Sequence, residues 1–471
     1  MLSPKTLQEL EKICGAGSVL SHPSALAAYD SDGLSFHRHR PDVVAIPNDS
    51  EQLAKVIRLA TTAELPYVFR GSGTGLSGGA VAAAGGLMIH LSRLKNILAI
   101  DPQNLVCCVE PGVVLNTLNE VLEPLGLFYP PDPSSGFACT LGGNVAENAG
   151  GIRCFKYGVT ANYVLGVELM SPEGQLLHFG GPEGATGIDW KALVVGSEGL
   201  LGAISKIWLR LKPLPGDPCT FLATFDTLEA ASGAILDLVH HPAIPVAAEL
   251  MDRNCVRLVE ASPMAVGLPK DSWVLLAEIN GPPELVTAQT PGIEALFQKR
   301  GATSVEMTRD GAGRQRLWKA RKVAGGLVGQ ISPDVMIQDA VIPRSKLAEV
   351  LREIYEEAER QDLPVINVFH AGDGNLHPNF MFDARDPSQL ERVKAAGKHL
   401  MQTVIRLGGT LSGEHGIGND KMEYLPLLMG ERELDLQRAV VSLFNPLNQL
   451  NPDKVLPNRS YVGCCLPEKK P

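Results

Sequence analysis

Two short stretches in the second half of the chain hold the residue types that metal and proton chemistry need. H-A-G-D-G-N-L-H-P-N runs from His370 to Asn379 behind an apolar, strand-like VINVF. Its Gly-Asp-Gly centre predicts a tight turn, so that two histidines on its arms can face one ion. The alternative for each histidine is a buried ring satisfied by hydrogen bonds. S-G-E-H-G-I-G, Ser412 to Gly418, sets Glu414 beside His415. In extended backbone adjacent side chains diverge, so Glu414 can supply an oxygen ligand while His415 serves as a base. Two histidines and a carboxylate with open positions suit Zn2+ in a catalytic role, and also Mn2+ or Fe2+. For Glu414 the structural alternative is a glycine-flanked capping carboxylate.

A different chemistry is written in the first half. R-G-S-G-T-G-L-S-G-G, Arg70 to Gly79, follows the strand-like YVFR. It has no lysine and does not fit G-x-x-x-x-G-K-[ST], and Gly71, Gly73 and Gly75 are not spaced as G-x-G-x-x-G on a βαβ unit. Backbone N–H groups in such a side-chain-poor loop can still converge on a pyrophosphate. Ser72, Thr74 and Ser77 would add hydroxyls and Arg70 charge. A glycine-rich surface turn explains the same composition. A second stretch, residues 130–158, combines the proline-stiffened entry around Asp132 with small residues and the amides Asn144 and Asn148.

The elements that must position these residues follow from periodicity and punctuation. Strands are predicted at 43–47, 67–70, 87–94 and 106–112, with an amphipathic helix over 49–65 and another after residue 112. Residues 164–180 read as a hairpin turning at Pro172-Glu173-Gly174, and 203–213 as an alternating strand. Beyond Pro213, Pro215 and Pro218 the elements lengthen. Strand 221–225, a helix to residue 241 and strand 273–280 lead to helices 344–360 and 387–409, which bracket strand 365–370. We place a domain boundary near residue 215, giving 1–215 and 216–450, with 451–471 as a segment returning to the first domain.

Composition narrows the function classes. The chain has 471 residues, 45% of them apolar and 20% charged, and a net charge of -10; this excludes the basic footprint of a bulk nucleic-acid binder. No stretch approaches the roughly 18–20 apolar residues of a membrane span, and MLSPKTLQELEKIC lacks the pattern of a secretory signal. A cytoplasmic protein, docked at a membrane only through partners, is expected. None of the nine cysteines forms C-x-x-C, so reduced, mostly buried thiols are expected, without an iron–sulfur cluster in this chain.

Three ordered segments, Arg70–Ser77, Thr140–Gly151 and 196–211, resemble the FAD-binding domain of the vanillyl-alcohol oxidase/p-cresol methylhydroxylase flavoprotein superfamily over roughly residues 38–215. The resemblance implies that the first segment wraps the FAD pyrophosphate and the second lines the flavin through Thr140, Gly143, Asn144, Asn148 and Gly150, with Asp132 at its approach. Glu198, Gly199 and Ile204 would lie near the adenosine. No histidine stands inside the matched loops, so FAD is expected to be non-covalent.

The two later motifs resemble the C-terminal domain of FAD-linked D-2-hydroxy-acid dehydrogenases, a family that includes glycolate oxidase D subunits and D-lactate dehydrogenases. That implies an α+β fold, with the two-subdomain FAD-binding domain followed by an α+β substrate or cap domain built on a ferredoxin-like sheet. It also implies His370, His377 and Glu414 as metal ligands, His415 as catalytic base and Asn379 as a polar group on the substrate side. Arg321, in RQRLWKARK, would meet the substrate carboxylate, and Asn451 would sit near the flavin. Relatives acting on dicarboxylates carry a cationic residue where this chain has Ile337, so the expected substrate is a small monocarboxylate, glycolate or D-lactate. Electrons would pass to a non-nicotinamide acceptor, a quinone-linked chain or a flavin-bearing sister subunit and an iron–sulfur subunit. The competing readings are a stand-alone D-lactate dehydrogenase and a non-catalytic FAD-binding subunit of a larger complex.

Overall fold

The computed structural model describes residues 2–457. They form two compact units: residues 2–149, 159–214 and 414–457 make up the first, and 150–158 with 215–413 the second. The chain thus crosses into the second unit at residue 215 and re-enters the first at Glu414, well before residue 451.

In the first unit, strands Val43–Ala45, Leu87–His90 and Tyr67–Arg70 pair in parallel, joined at the edge by the short Val19–Leu20. Their near-continuous apolar sequence reflects burial on both faces. Helix Ser50–Thr62 starts where the Asp49 carboxylate accepts from Gln52 N–H at 2.8 Å. It turns Leu53, Val56, Ile57 and Ala60 into the same core as Val43, Leu87 and Ile89. A second, five-stranded antiparallel sheet follows the order Ile97–Asp101, Val106–Val109, Ala203–Arg210, Val164–Met170, Leu176–Gly180, and its last two strands are the predicted hairpin.

The second unit is a nine-stranded sheet, antiparallel throughout its pairings. Strands Pro218–Phe225, Trp273–Asn280, Ala247–Met251 and Val365–His370 form its centre. Helices Gly311–Leu327 and Arg253–Glu260 cover one face. Leu317, Trp318, Ala320 and Ala324 of the first and Val256 and Val259 of the second pack on Ala247, Met251, Leu276 and Val368. Strand Ala247–Met251 and both of these helices lie outside the elements predicted from periodicity.

Cys14, Cys107, Cys108, Cys139, Cys219 and Cys255 are buried thiols; burial pushes Cys107 up to about 12. Cys464 and Cys465 fall outside the described residues. Among the described residues no helix is long and apolar enough to cross a membrane.

Candidate active site

Strand Val365–His370 ends in the predicted tight turn, closed by Gly374 at φ +82°, a conformation open to glycine. The chain then returns through Asn375–Leu376 and Pro378–Phe382. This hairpin brings the two histidine rings edge to face, with centroids 5.1 Å apart. Both are buried. His370 Nδ1 lies 2.7 Å from Glu249 Oε1, and His377 Nδ1 lies 3.3 Å from the Gln338 carbonyl. In the neutral tautomer that donates Nδ1–H to these acceptors, Nε2 of each ring carries the lone pair, the arrangement of a metal-ligating imidazole.

Glu249 was not singled out from the sequence. It stands opposite His370 in the strand register, on the face that carries Ala247 and Met251 and that helix Gly311–Leu327 covers. Its carboxylate is fully buried, and the second oxygen accepts from Arg321 Nε at 2.7 Å. Burial pushes this carboxyl up, but the charges and hydrogen bonds of His370 and Arg321 outweigh it and bring it down to about 2. A lone charge on this apolar face would be expensive, so the ion pair accounts for both residues. The Arg321 side chain is 13% exposed. Its two terminal nitrogens make no hydrogen bond among the described residues, which leaves a fork for a carboxylate.

Asn379 is buried and donates to the His377 carbonyl at 2.6 Å, so it braces the hairpin. Asp339, another residue missed from sequence, accepts from Ser412 Oγ at 2.6 Å and Gly413 N–H at 2.9 Å, and its other oxygen lies 3.9 Å from His377 Nδ1. The backbone is therefore held beside His377 as far as Gly413. Glu414 and His415 are the next two residues, each advancing the chain by ~3.8 Å.

In the first unit, a Cβ on Gly71 would lie 2.3 Å from Thr140 Oγ1, so the two predicted cofactor loops lie against each other. Thr140 caps helix Leu141–Glu147, and Asn148 ends it in a left-handed conformation. Ser77 Oγ and Asn144 Nδ2 are buried with no hydrogen-bond partner among the described residues. Such orphaned polar atoms each cost ~1–3 kcal/mol unless something satisfies them, and a phosphate- and amide-bearing dinucleotide suits them. Ser72 is exposed, and Gly73, Thr74, Gly75, Gly143 and Asp132 are partly exposed. Arg70 stays against its own glycine loop, its guanidinium donating to the Ala80 carbonyl at 3.3 Å. Ile204 is a buried residue of strand Ala203–Arg210, and Gly150 opens the short segment of the second unit.

Glu198 has a role the motif did not announce. Its carboxylate accepts from Ile417 N–H at 2.8 Å and Gly418 N–H at 2.7 Å, anchoring the segment that begins with Glu414 and His415. A Cβ on Gly416 would lie 2.6 Å from Glu147 Oε2 and 2.9 Å from the Glu198 carboxyl carbon, so two acids crowd one glycine. Burial, and then the Glu198 charge, hold the Glu147 carboxyl well above its ordinary range; Glu198 is raised by burial. Beside Gly199, Asn451 donates to the Glu198 carbonyl at 2.7 Å. Lys454 donates to the carbonyls of Gly79 and Val81 and to Asn451 Oδ1, at 2.6, 2.5 and 2.7 Å. Burial pulls its ammonium down to about 7, against the pull of Asp32, Glu147 and Glu198. One signal for these missed residues is a charge alone in an apolar run, as in A-A-E-L-M around Glu249.

A first unit whose glycine loop and capped helix gather unsatisfied polar atoms fits a flavin oxidoreductase, and the comparisons with known proteins agree. Residues 41–180 match an FAD binding domain, and residues 214–455 match the FAD linked oxidases, C-terminal domain. The glycolate oxidase subunit GlcD of Escherichia coli (strain K12) is 38% identical over 93% of this chain and 88% of its own length. The GlcD subunit of Bacillus subtilis (strain 168) is 34% identical over 97% of both chains. A D-lactate dehydrogenase of Anaerostipes hadrus is 32% identical over 89% of this chain and 90% of its own. The fold is shared with p-cresol methylhydroxylase, at a TM-score of 0.81 and 17% identity over 96% of each chain. It is also shared with 4-ethylphenol oxidase from Gulosibacter chungangensis, at 0.80 and 17% over 97% of this chain and 98% of that one. The chain belongs to the FAD-linked oxidase family.

Proposed function

We propose that this protein oxidises a small D-2-hydroxy acid, glycolate or D-lactate, to the 2-oxo acid. The observation that carries this reading is the second unit's pairing of two buried histidines, each with Nδ1 against an acceptor, with a half-buried, carboxylate-anchored arginine whose terminal nitrogens are uncommitted. A cation and a guanidinium fork together recognise a hydroxyl next to a carboxylate. Glycolate and D-lactate, the acids in the names of the relatives, have that pattern.

His370 and His377 would hold a divalent ion, Zn2+ by the softness of the set, with Glu414 as the oxygen ligand. Such an ion, when bound, acidifies a hydroxyl that chelates it. Arg321 takes the substrate carboxylate through its terminal nitrogens and so fixes the face presented. His415 removes the hydroxyl proton, and Asn379 keeps the His377 arm in place. Gly71–Ser77, Thr140–Asn148 and the Asn451 segment would hold FAD non-covalently, and FAD supplies the hydride acceptor. Ile337 pairs with Asn379 in the strand register. An uncharged side chain there favours a monocarboxylate.

Electrons would leave to a separate protein or quinone-linked chain, with a flavin-bearing sister subunit and an iron–sulfur subunit as candidate partners. Anaerobic addition of glycolate and of D-lactate to the flavin-loaded protein tests the reading. Bleaching of the flavin band by either acid supports it, and an unchanged spectrum with both rejects it.

A further inference from the structure

We infer that Glu249 is a positioning residue that couples cation binding to substrate-carboxylate recognition, one carboxylate oxygen serving each. The inference rests on the reading just given and adds a residue to it. The geometry lies wholly within the second unit. Oε1 takes His370 Nδ1–H at 2.7 Å, and Oε2 takes Arg321 Nε–H at 2.7 Å. The first contact fixes the ring so that Nε2 presents its lone pair. The second takes the side-on nitrogen of Arg321 and aims the end-on pair outward.

Neither contact is incidental to packing. Glu249 is 0% exposed on a face otherwise filled by Ala247, Met251, Leu317, Ala320 and Ala324. An acid in that setting persists only where both oxygens are used. Alanine or leucine would fill the space more cheaply, so the carboxylate is explained by what it orients. The orienting carboxylate bridges a neutral imidazole N–H and a guanidinium. Moving or removing the carboxylate therefore disturbs both groups at once, so cation binding and carboxylate recognition come to depend on one residue.

Glutamine is the informative replacement. Its single carbonyl oxygen can accept from one partner, while its amide NH2 confronts the N–H of the other. The experiment uses the full-length, flavin-loaded protein as wild type, His370→Ala, Glu249→Gln and Arg321→Gln. Co2+ affinity is read by equilibrium dialysis and by the visible bands of the bound ion. Half-saturating glycolate and D-lactate are read from flavin bleaching, and flavin content and the near-ultraviolet circular dichroism of Trp273 and Trp318 report folding.

Glu249→Gln is expected to weaken Co2+ by about 10–100-fold, the usual effect of losing an orienting partner, and to raise half-saturation for the acid as well. Arg321→Gln is expected to raise half-saturation while leaving Co2+ affinity nearly unchanged. If Glu249→Gln does not fold, Glu249→Asp replaces it. Its carboxylate is drawn back by one methylene, and it should lose the same two properties. Should wild type and His370→Ala bind Co2+ alike, the metal reading itself fails and this inference with it. Should His370→Ala lose Co2+ while the folded Glu249 variant binds it like wild type, the coupling role alone is overturned.

Discussion

Replacing Glu198 by alanine tests whether the first unit holds the His415 segment through one buried carboxylate. The substitution deprives Ile417 N–H and Gly418 N–H of their acceptor. Each unpaired buried donor costs ~1–3 kcal/mol. Relief of the repulsion that Glu198 exerts on Glu147 offsets part of that, leaving a net loss of about 2–4 kcal/mol. For a unit of this size 1 kcal/mol corresponds to ~2–4 °C, so the flavin-releasing transition should fall by about 4–16 °C. A displacement of the segment by even ~1 Å would lower kcat/KM by about 10²-fold. The assay pairs a flavin-fluorescence melt with steady-state turnover of glycolate and D-lactate using an artificial acceptor. An Ala variant that melts and turns over like wild type would refute the anchoring role.

Three further outcomes are expected. His415→Ala should lower kcat by about 10²–10⁴-fold while flavin stays bound; near-normal turnover eliminates it as the base. Glu147 titrates well above its ordinary value in the fold, so its contribution to stability is fully present below the unfolded value of 4.5 and is lost as pH rises through the folded one. Glu147→Gln should therefore gain stability relative to wild type as pH rises from 4.5 towards the folded value, and a melting-temperature difference that stays flat through that rise would contradict the sign. Ile337→Lys should raise kcat/KM for a dicarboxylic hydroxy acid relative to glycolate by at least about tenfold, the effect of ~1.4 kcal/mol. An unchanged ratio would dissociate this position from substrate size.

Local sequence carried the parts of the site that depend on short range. His370 and His377 are seven residues apart around a Gly-Asp-Gly turn, so their meeting was legible before any tertiary structure. The same holds for the strand into Arg70, the glycine loop, and the hairpin at Pro172-Glu173-Gly174, where each signal is a backbone preference of adjacent residues. Arg70 shows the limit. Its type predicted charge for a phosphate, but not that one of its nitrogens would also brace the loop through the Ala80 carbonyl.

The tertiary structure decided which distant groups share an environment. Glu249 lies 121 residues before His370 and 72 before Arg321. Their contact depends on a strand register and a helix position that no local pattern encodes. Glu198 accepts from N–H groups 219 and 220 residues away, and Lys454 reaches Gly79 across 375. Sequence alone determined that the chain carries histidine-turn and glycine-loop chemistry, because those depend on residue type and short spacing. Only the fold decided which buried carboxylates orient that chemistry, because burial and pairing of charge are properties of the packed core.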